Sequence, residues 1–185
     1  MCPKCSPAVT LDETKGQRFL SHIGAHVLHD STLDRSSEPC GLCLRPSPMC
    51  QFYLKKGKSA KGRLKINYAA SKGCPNLITF SYNVAAESSK SSPCSNVPLR
   101  CPLCSSGDPA VWRYNMKYHF QLAHPSASLP TYQELWSLTN FEKSQMAAIW
   151  KDRHKVTVKR RKTKGKHLPA SLEISKAHSS RLAFR

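Results

Sequence analysis

The chain is short of acid. Eleven Asp and Glu stand against 29 Lys and Arg, a formal net charge of +18 over 185 residues. Such a balance leaves polyanions as the favoured partners, nucleic acid before an acidic protein surface. The sequence also lacks an apolar signal segment at its start and any apolar run long enough to span a bilayer. No membrane contact is expected, and a secreted disulfide framework is disfavoured. His/Glu and Cys/His pairs at catalytic spacing are missing as well, so neither an enzyme nor a small-molecule substrate is expected. Large apolar residues are scattered and show no pattern for a single large core, so something other than burial must supply much of the folding free energy.

What the chain has is cysteine, nine in all. In a reducing compartment, paired cysteines point to metal. The strongest pattern is Cys101-x2-Cys104-x14-His119-x4-His124. Two thiolates on a turn and two imidazoles about one helical turn apart can converge on one tetrahedral Zn²⁺. The helix carrying the histidines must end or loosen near His124, and Pro125 fits that stop. A second pattern, Cys2-x2-Cys5-x16-His22-x3-His26, puts both imidazoles on one helix face, with His29 as a substitute for one of them. Cys2, so near the start, raises the expectation of further chain upstream. Between these lies Cys40-x2-Cys43, followed by Cys50, Cys74 and Cys94. A third zinc held by Cys40, Cys43, Cys74 and either Cys50 or Cys94 is expected, amid strands near Gln51–Lys55, Leu64–Asn67 and Leu77–Asn83.

The first two patterns resemble the Cys2His2 zinc-finger family. Met116 and Phe19 fall three residues before the first histidine, where that family places a core Leu. Two features depart from it: the Cys104–His119 stretch is longer than usual, and the usual core Phe is absent, with Val111 or Trp112 the nearest substitutes. Cys40-x2-Cys43-x6-Cys50 also resembles half of the fungal binuclear zinc cluster, but the second half is missing. The whole arrangement is similar to uncharacterised zinc-finger proteins of mushroom-forming fungi, a resemblance that implies no function. The finger resemblance implies ββα folds whose helix starts face bases. Carried over from His119, those positions are Trp112, Tyr114, Asn115 and Tyr118; from His22 they are Lys15, Gln17, Arg18 and Ser21. Asn115 suits adenine, Arg18 guanine, and Lys15 a phosphate or guanine. The aromatics suit stacking on single-stranded bases or packing against protein.

The remaining segments are simpler. Thr131-Tyr-Gln-Glu134 and Thr139-Asn-Phe-Glu142 are capping-box patterns and predict two short helices over 131–153. Leu135 and Leu138 would bury one face of the first, and Met146, Ile149 and Trp150 one face of the second. That segment doubles as a candidate protein-binding surface. Residues 154–185 are basic and poor in apolar side chains, which predicts disorder. Their run Lys159-Arg160-Arg161-Lys162 suits phosphate contact or nuclear import.

The sequence therefore predicts small α+β zinc-stabilised modules. A divergent finger occupies 1–29, a Cys-rich β module 40–94 and a second finger 95–125, followed by a helical segment (131–153) and a disordered basic tail (154–185). Ser/Pro-rich joints are expected at Asp30–Pro39 and Glu87–Pro93. The expected function is zinc binding with nucleic-acid contact in the nucleus, DNA ahead of RNA. The alternative is a zinc-scaffolded protein-interaction module.

Overall fold

The first helix, α1 (Gly16–His29), is buried on nearly every side. Phe19, Ile23 and Val27 recur at four-residue spacing and sink into the core, while His22 and His26 share the adjoining face. Gly24 permits this crowding: a Cβ there would meet Cys94 Sγ at 2.8 Å. The main partner of α1 is α4 (Asn140–Lys151). The structure, a computed structural model, describes residues 1–2, 4–57 and 63–155. The cationic run Lys159, Arg160, Arg161 and Lys162 lies outside the described residues, as does all of the tail beyond Lys155.

Between the two helices come two small antiparallel sheets. In the first, β1 (Leu54–Lys56) pairs with β2 (Leu64–Ile66), setting Leu54 opposite Ile66 and Lys55 opposite Lys65. A short helix, α2 (Tyr82–Ala86), packs against β2. In the second sheet β3 (Pro98–Leu99) pairs with β4 (Val111–Trp112), and α3 (Met116–Ala123) follows after one 3-10 turn. The class is small α+β, with short helices and two-stranded antiparallel sheets.

One core runs through segments that the sequence sets apart. It joins Phe19, Leu20 and Ile23 of α1 to Leu42 and Phe52 of the cysteine-rich segment, to Trp112 and Tyr114, and to Met146 of α4. Trp112 is the joint. Its ring meets Phe52 edge-on at 5.0 Å, and it covers Gly41 so closely that any side chain there would collide with it. Backbone pairing continues the contact, with the Ala110 N–H donating to the Phe52 carbonyl at 2.7 Å. A smaller core gathers Val111, Met116 and Phe120 under Tyr132 and Trp136, whose rings lie 4.9 and 5.3 Å from Phe120. Val111, one of the two substitutes expected from the sequence, does lie in this smaller core, together with Phe120, while Trp112 belongs to the larger one.

Several local expectations are corrected. Leu77–Asn83 forms no strand: Ile78 is buried in irregular chain, and Tyr82 opens α2. Among the described residues no strand pair precedes α1, so the N-terminal cysteines do not sit on a ββ hairpin; one bond, Cys2 N–H to the Val9 carbonyl at 2.8 Å, closes their loop. The 129–135 segment is a 3-10 helix beginning two residues before Thr131, with Pro130 in its first turn, where a missing N–H does no harm. Its Leu135 joins the smaller core and Leu138 the larger, so the two share no common face. Thr139 does cap α4, its side chain accepting from the Glu142 N–H at 3.1 Å. Glu142, however, does not reach back to complete a capping box.

Candidate metal centres

Three sets of four donors converge: Cys2, Cys5, His22 and His26; Cys40, Cys43, Cys50 and Cys74; and Cys101, Cys104, His119 and His124. Within each set the donor atoms lie within 4.8 Å of one another. In the first, Nε2 of His26 is 3.4 Å from Cys2 Sγ and 3.2 Å from Cys5 Sγ, and Nε2 of His22 is 3.5 Å from Cys5 Sγ. In the third, Nε2 of His124 is 3.4 Å from Cys101 Sγ and 3.2 Å from Cys104 Sγ, and Nε2 of His119 is 3.3 Å from Cys104 Sγ. Zinc bonds of about 2.3 Å to sulfur and about 2.0 Å to nitrogen at tetrahedral angles separate S from N by roughly 3.5 Å. In the middle set Cys40 and Cys74 sulfurs are 3.8 Å apart and those of Cys43 and Cys50 3.4 Å, where tetrahedral thiolates need about 3.8 Å and a disulfide only about 2.05 Å. The donor sets fit a tetrahedral metal of zinc's size and ligand preference.

The elements explain the convergence. His22 and His26 come together because one helical turn separates them on α1. Cys101 and Cys104 occupy the loop between β3 and β4, facing His119 on α3, and the α3 C-cap falls on His124, which bends the second imidazole inward. Residues 98–124 therefore run strand, cysteine loop, strand, helix. The middle set is closed by long-range pairing, in which Gln51 and Lys72 exchange backbone hydrogen bonds of 2.9 and 3.0 Å beside Cys50 and Cys74.

Two residues with no local signal of their role complete the imidazoles. His26 Nδ1 lies 3.0 Å from Asp30 Oδ2, and His119 Nδ1 lies 2.8 Å from Glu38 Oε1. A carboxylate can only accept, so each Nδ1 donates, which leaves Nε2 as the ring atom that faces the thiols and can hold a metal. Both carboxylates come from Asp30–Pro39, expected to be a joint. It is instead a strap tied at both ends: Arg35 donates to the Leu28 carbonyl at 2.5 Å, and Asn115 Nδ2 to the Pro39 carbonyl at 2.7 Å. Removing Glu38 (Glu38→Ala) should weaken metal binding at the Cys101–His124 set by about 10–100-fold. A chelator-competition titration measures this, and an unchanged first-release step would show that the carboxylate does not orient His119.

The Glu38 hydrogen bond raises the His119 pKa. Burial opposes the Cys2 thiolate, but hydrogen bonds from His22 and His26 bring its pKa down to about 5. Burial and the charge of Cys2 push the Cys5 thiol up to about 12. In the middle set, hydrogen bonds from Cys40 and Cys74 lower Cys43 to about 2, while burial holds Cys40 up. In the first two sets a favoured thiolate thus sits beside a retained proton.

The other sequence candidates fall elsewhere. Cys94 belongs to no donor set; it is fully buried against the Leu20 carbonyl and the Tyr114 hydroxyl. His29 is also outside, its ring 6.4 Å from Trp150. Asn115 is 1% exposed and committed to Pro39, so it is no base reader. Trp112 and Tyr114 are buried in the core and offer no stacking face. Arg18 is exposed on α1, and Lys15 is half-buried and paired with Asp12. No protein-family model matches the chain, and no curated protein or solved structure matches it. No helix among the described residues is long and apolar enough to cross a membrane.

Proposed function

We propose that the chain is a structural zinc protein that binds nucleic acid through phosphate contacts in the nucleus. The observation that carries it is the three closed donor sets within a chain of net charge +18. Four protein donors leave no open position for a substrate, which favours a structural over a catalytic metal. The order of elements over 98–124 supports kinship with Cys2His2 fingers. Its buried helix start favours backbone contact over base reading, with DNA ahead of RNA only through that kinship. Native mass spectrometry of the zinc-loaded chain should find three bound ions. Binding to oligonucleotides should weaken steeply with salt, a log–log slope near −4 corresponding to about four to five phosphate contacts. A count below three, or no oligonucleotide binding at low salt, would refute the corresponding half.

A protein-interaction role has narrower support than the sequence offers. Most apolar residues of 131–153 are used inside the fold: Met146 is buried, and Leu138, Ile149 and Trp150 pack on the main core. Phe141 of that segment stays exposed at 39%, and Leu103 and Leu122 of the 98–124 segment at 42% and 58%. Partner capture that survives nuclease and needs Leu122 would favour this second function.

A further inference from the structure

Between Glu38 and Glu87 the sequence has eight Lys or Arg and not one acidic residue. The first hairpin displays part of this charge in an ordered way. Leu54 and Ile66 face each other and are buried, so Lys55 and Lys65, next in register, face each other on the outer side and are exposed. Like charges placed directly opposite destabilise a hairpin. Neither lysine, nor Arg63 beside them, forms an ion pair among the described residues. The hairpin thus holds a cationic face that no acidic side chain among the described residues neutralises.

An open groove of about 810 Å³ runs along that face. Lys55, Arg63 and Lys65 form one side; Tyr68, Phe80 and Asn83 contribute the other. Its volume falls within the range of about 300–1,000 Å³ usual for ligand clefts. Tyr68 and Phe80 are half-buried, and the Phe80 backbone N–H donates to the Tyr68 hydroxyl at 3.3 Å, which ties the Tyr68 ring to the chain at Phe80. Aromatic rings across from an unpaired cationic row are the two halves of a single-strand binding surface: phosphates track the charge and unstacked bases lie on the rings. Duplex nucleic acid presents phosphates but no free base faces, so the aromatic side would go unused.

We propose that this groove binds single-stranded nucleic acid, with Lys55, Arg63 and Lys65 on the phosphates and Tyr68 and Phe80 stacking bases. The site rests on the nucleic-acid function proposed above and gives it a location away from all three metal centres.

The test uses the full zinc-loaded chain and fluorescein-labelled 12-mers of single-stranded DNA, single-stranded RNA and duplex DNA. Wild type should bind the single strands more tightly than the duplex. The double variant Lys55→Ala/Lys65→Ala should lose at least tenfold in affinity and reduce the salt slope by about two. A charge-matched control on α4, Lys143→Ala/Lys151→Ala, should change affinity less than twofold. Phe80→Leu should lose about 5- to 100-fold on single strands with the salt slope kept, the signature of lost stacking. Zinc count and circular dichroism confirm that each variant is folded. If wild type binds oligonucleotides and the Lys55/Lys65 variant binds as the α4 control does, the groove is wrong while the general function stands. A duplex preference also overturns the groove. If wild type binds no oligonucleotide but does bind vesicles of 30% phosphatidylserine, both proposals fall.

Discussion

Chelation of the zinc-loaded protein should abolish its helical circular-dichroism signal in a single transition, and added zinc should restore it. The magnitudes decide this. A structural zinc site contributes about 10–16 kcal/mol of apparent binding free energy, whereas a domain's whole net stability is about 5–15 kcal/mol. Losing even one site therefore removes an amount comparable to everything the fold has to spare. The transition should be single because donors are also core: Cys2, Cys5, Cys40 and Cys43 belong to the same buried cluster as Phe19, Phe52 and Trp112, and the Cys101 set joins them through β4, whose Val111 packs on the smaller core and Trp112 on the larger. Trp150 supplies a local reporter, its ring edge-on to His26 at 5.0 Å, so its emission should shift with occupancy of the first site. Acid should act in the same direction. Cys5 and Cys74 hold protons with pKa values raised to about 12, so the metal must displace those protons, and its apparent affinity falls as pH falls. A chelated sample that keeps its helices and melts cooperatively would show a core sufficient without metal.

The second large effect is expected from Glu142→Ala, a loss of about 3–5 kcal/mol in urea denaturation. Glu142 is 2% exposed, and one oxygen accepts from the Tyr114 hydroxyl at 2.6 Å and the Ser95 N–H at 2.7 Å. Truncation leaves the buried Ser95 N–H without a partner and the Tyr114 hydroxyl only the weak Cys94 sulfur acceptor, at about 1–3 kcal/mol each, beside the lost packing of the side chain. Tyr114 is firmly a donor, since burial and the nearby Cys94 and Glu142 push its pKa far above the ordinary phenol range. Glu142→Gln keeps an acceptor oxygen in place and should cost much less. Equal losses for the two variants would mean that shape, not hydrogen bonding, matters at this position.

The donors were legible in the sequence because their spacing is local. A Cys-x2-Cys turn and two histidines on one helix constrain each other within a few residues, so all twelve expected donors converge in three groups. The choice of Cys50 over Cys94 was not legible, because it depends on the pairing of Gln51 with Lys72. Glu38 was invisible for the same kind of reason: it meets His119 across 81 positions. Glu142 carried a local signal, the capping box, that tertiary contacts override. Asn115 and Trp112 were assigned by carrying over finger positions that assume an exposed helix start. Here Phe52, Gly41 and Pro39 cover that start, so the residues meant to face bases face the protein's own interior.

The strap from Asp30 to Pro39 bears on how such a chain can be inherited or engineered. Zinc fingers are usually thought of as cassettes, cut out and strung together at will. Here the outer carboxylates of both histidine-bearing sites are stored in the stretch between them, Asp30 serving the one before and Glu38 the one after. A cassette cut at residue 95 leaves behind the partner of its own His119, and Trp112 loses the surface it rests on. The unit of exchange then runs from Cys2 through α4: a break between Asp30 and Glu38 leaves each carboxylate with its own histidine but divides the core that α1 shares with Phe52, Trp112 and Met146.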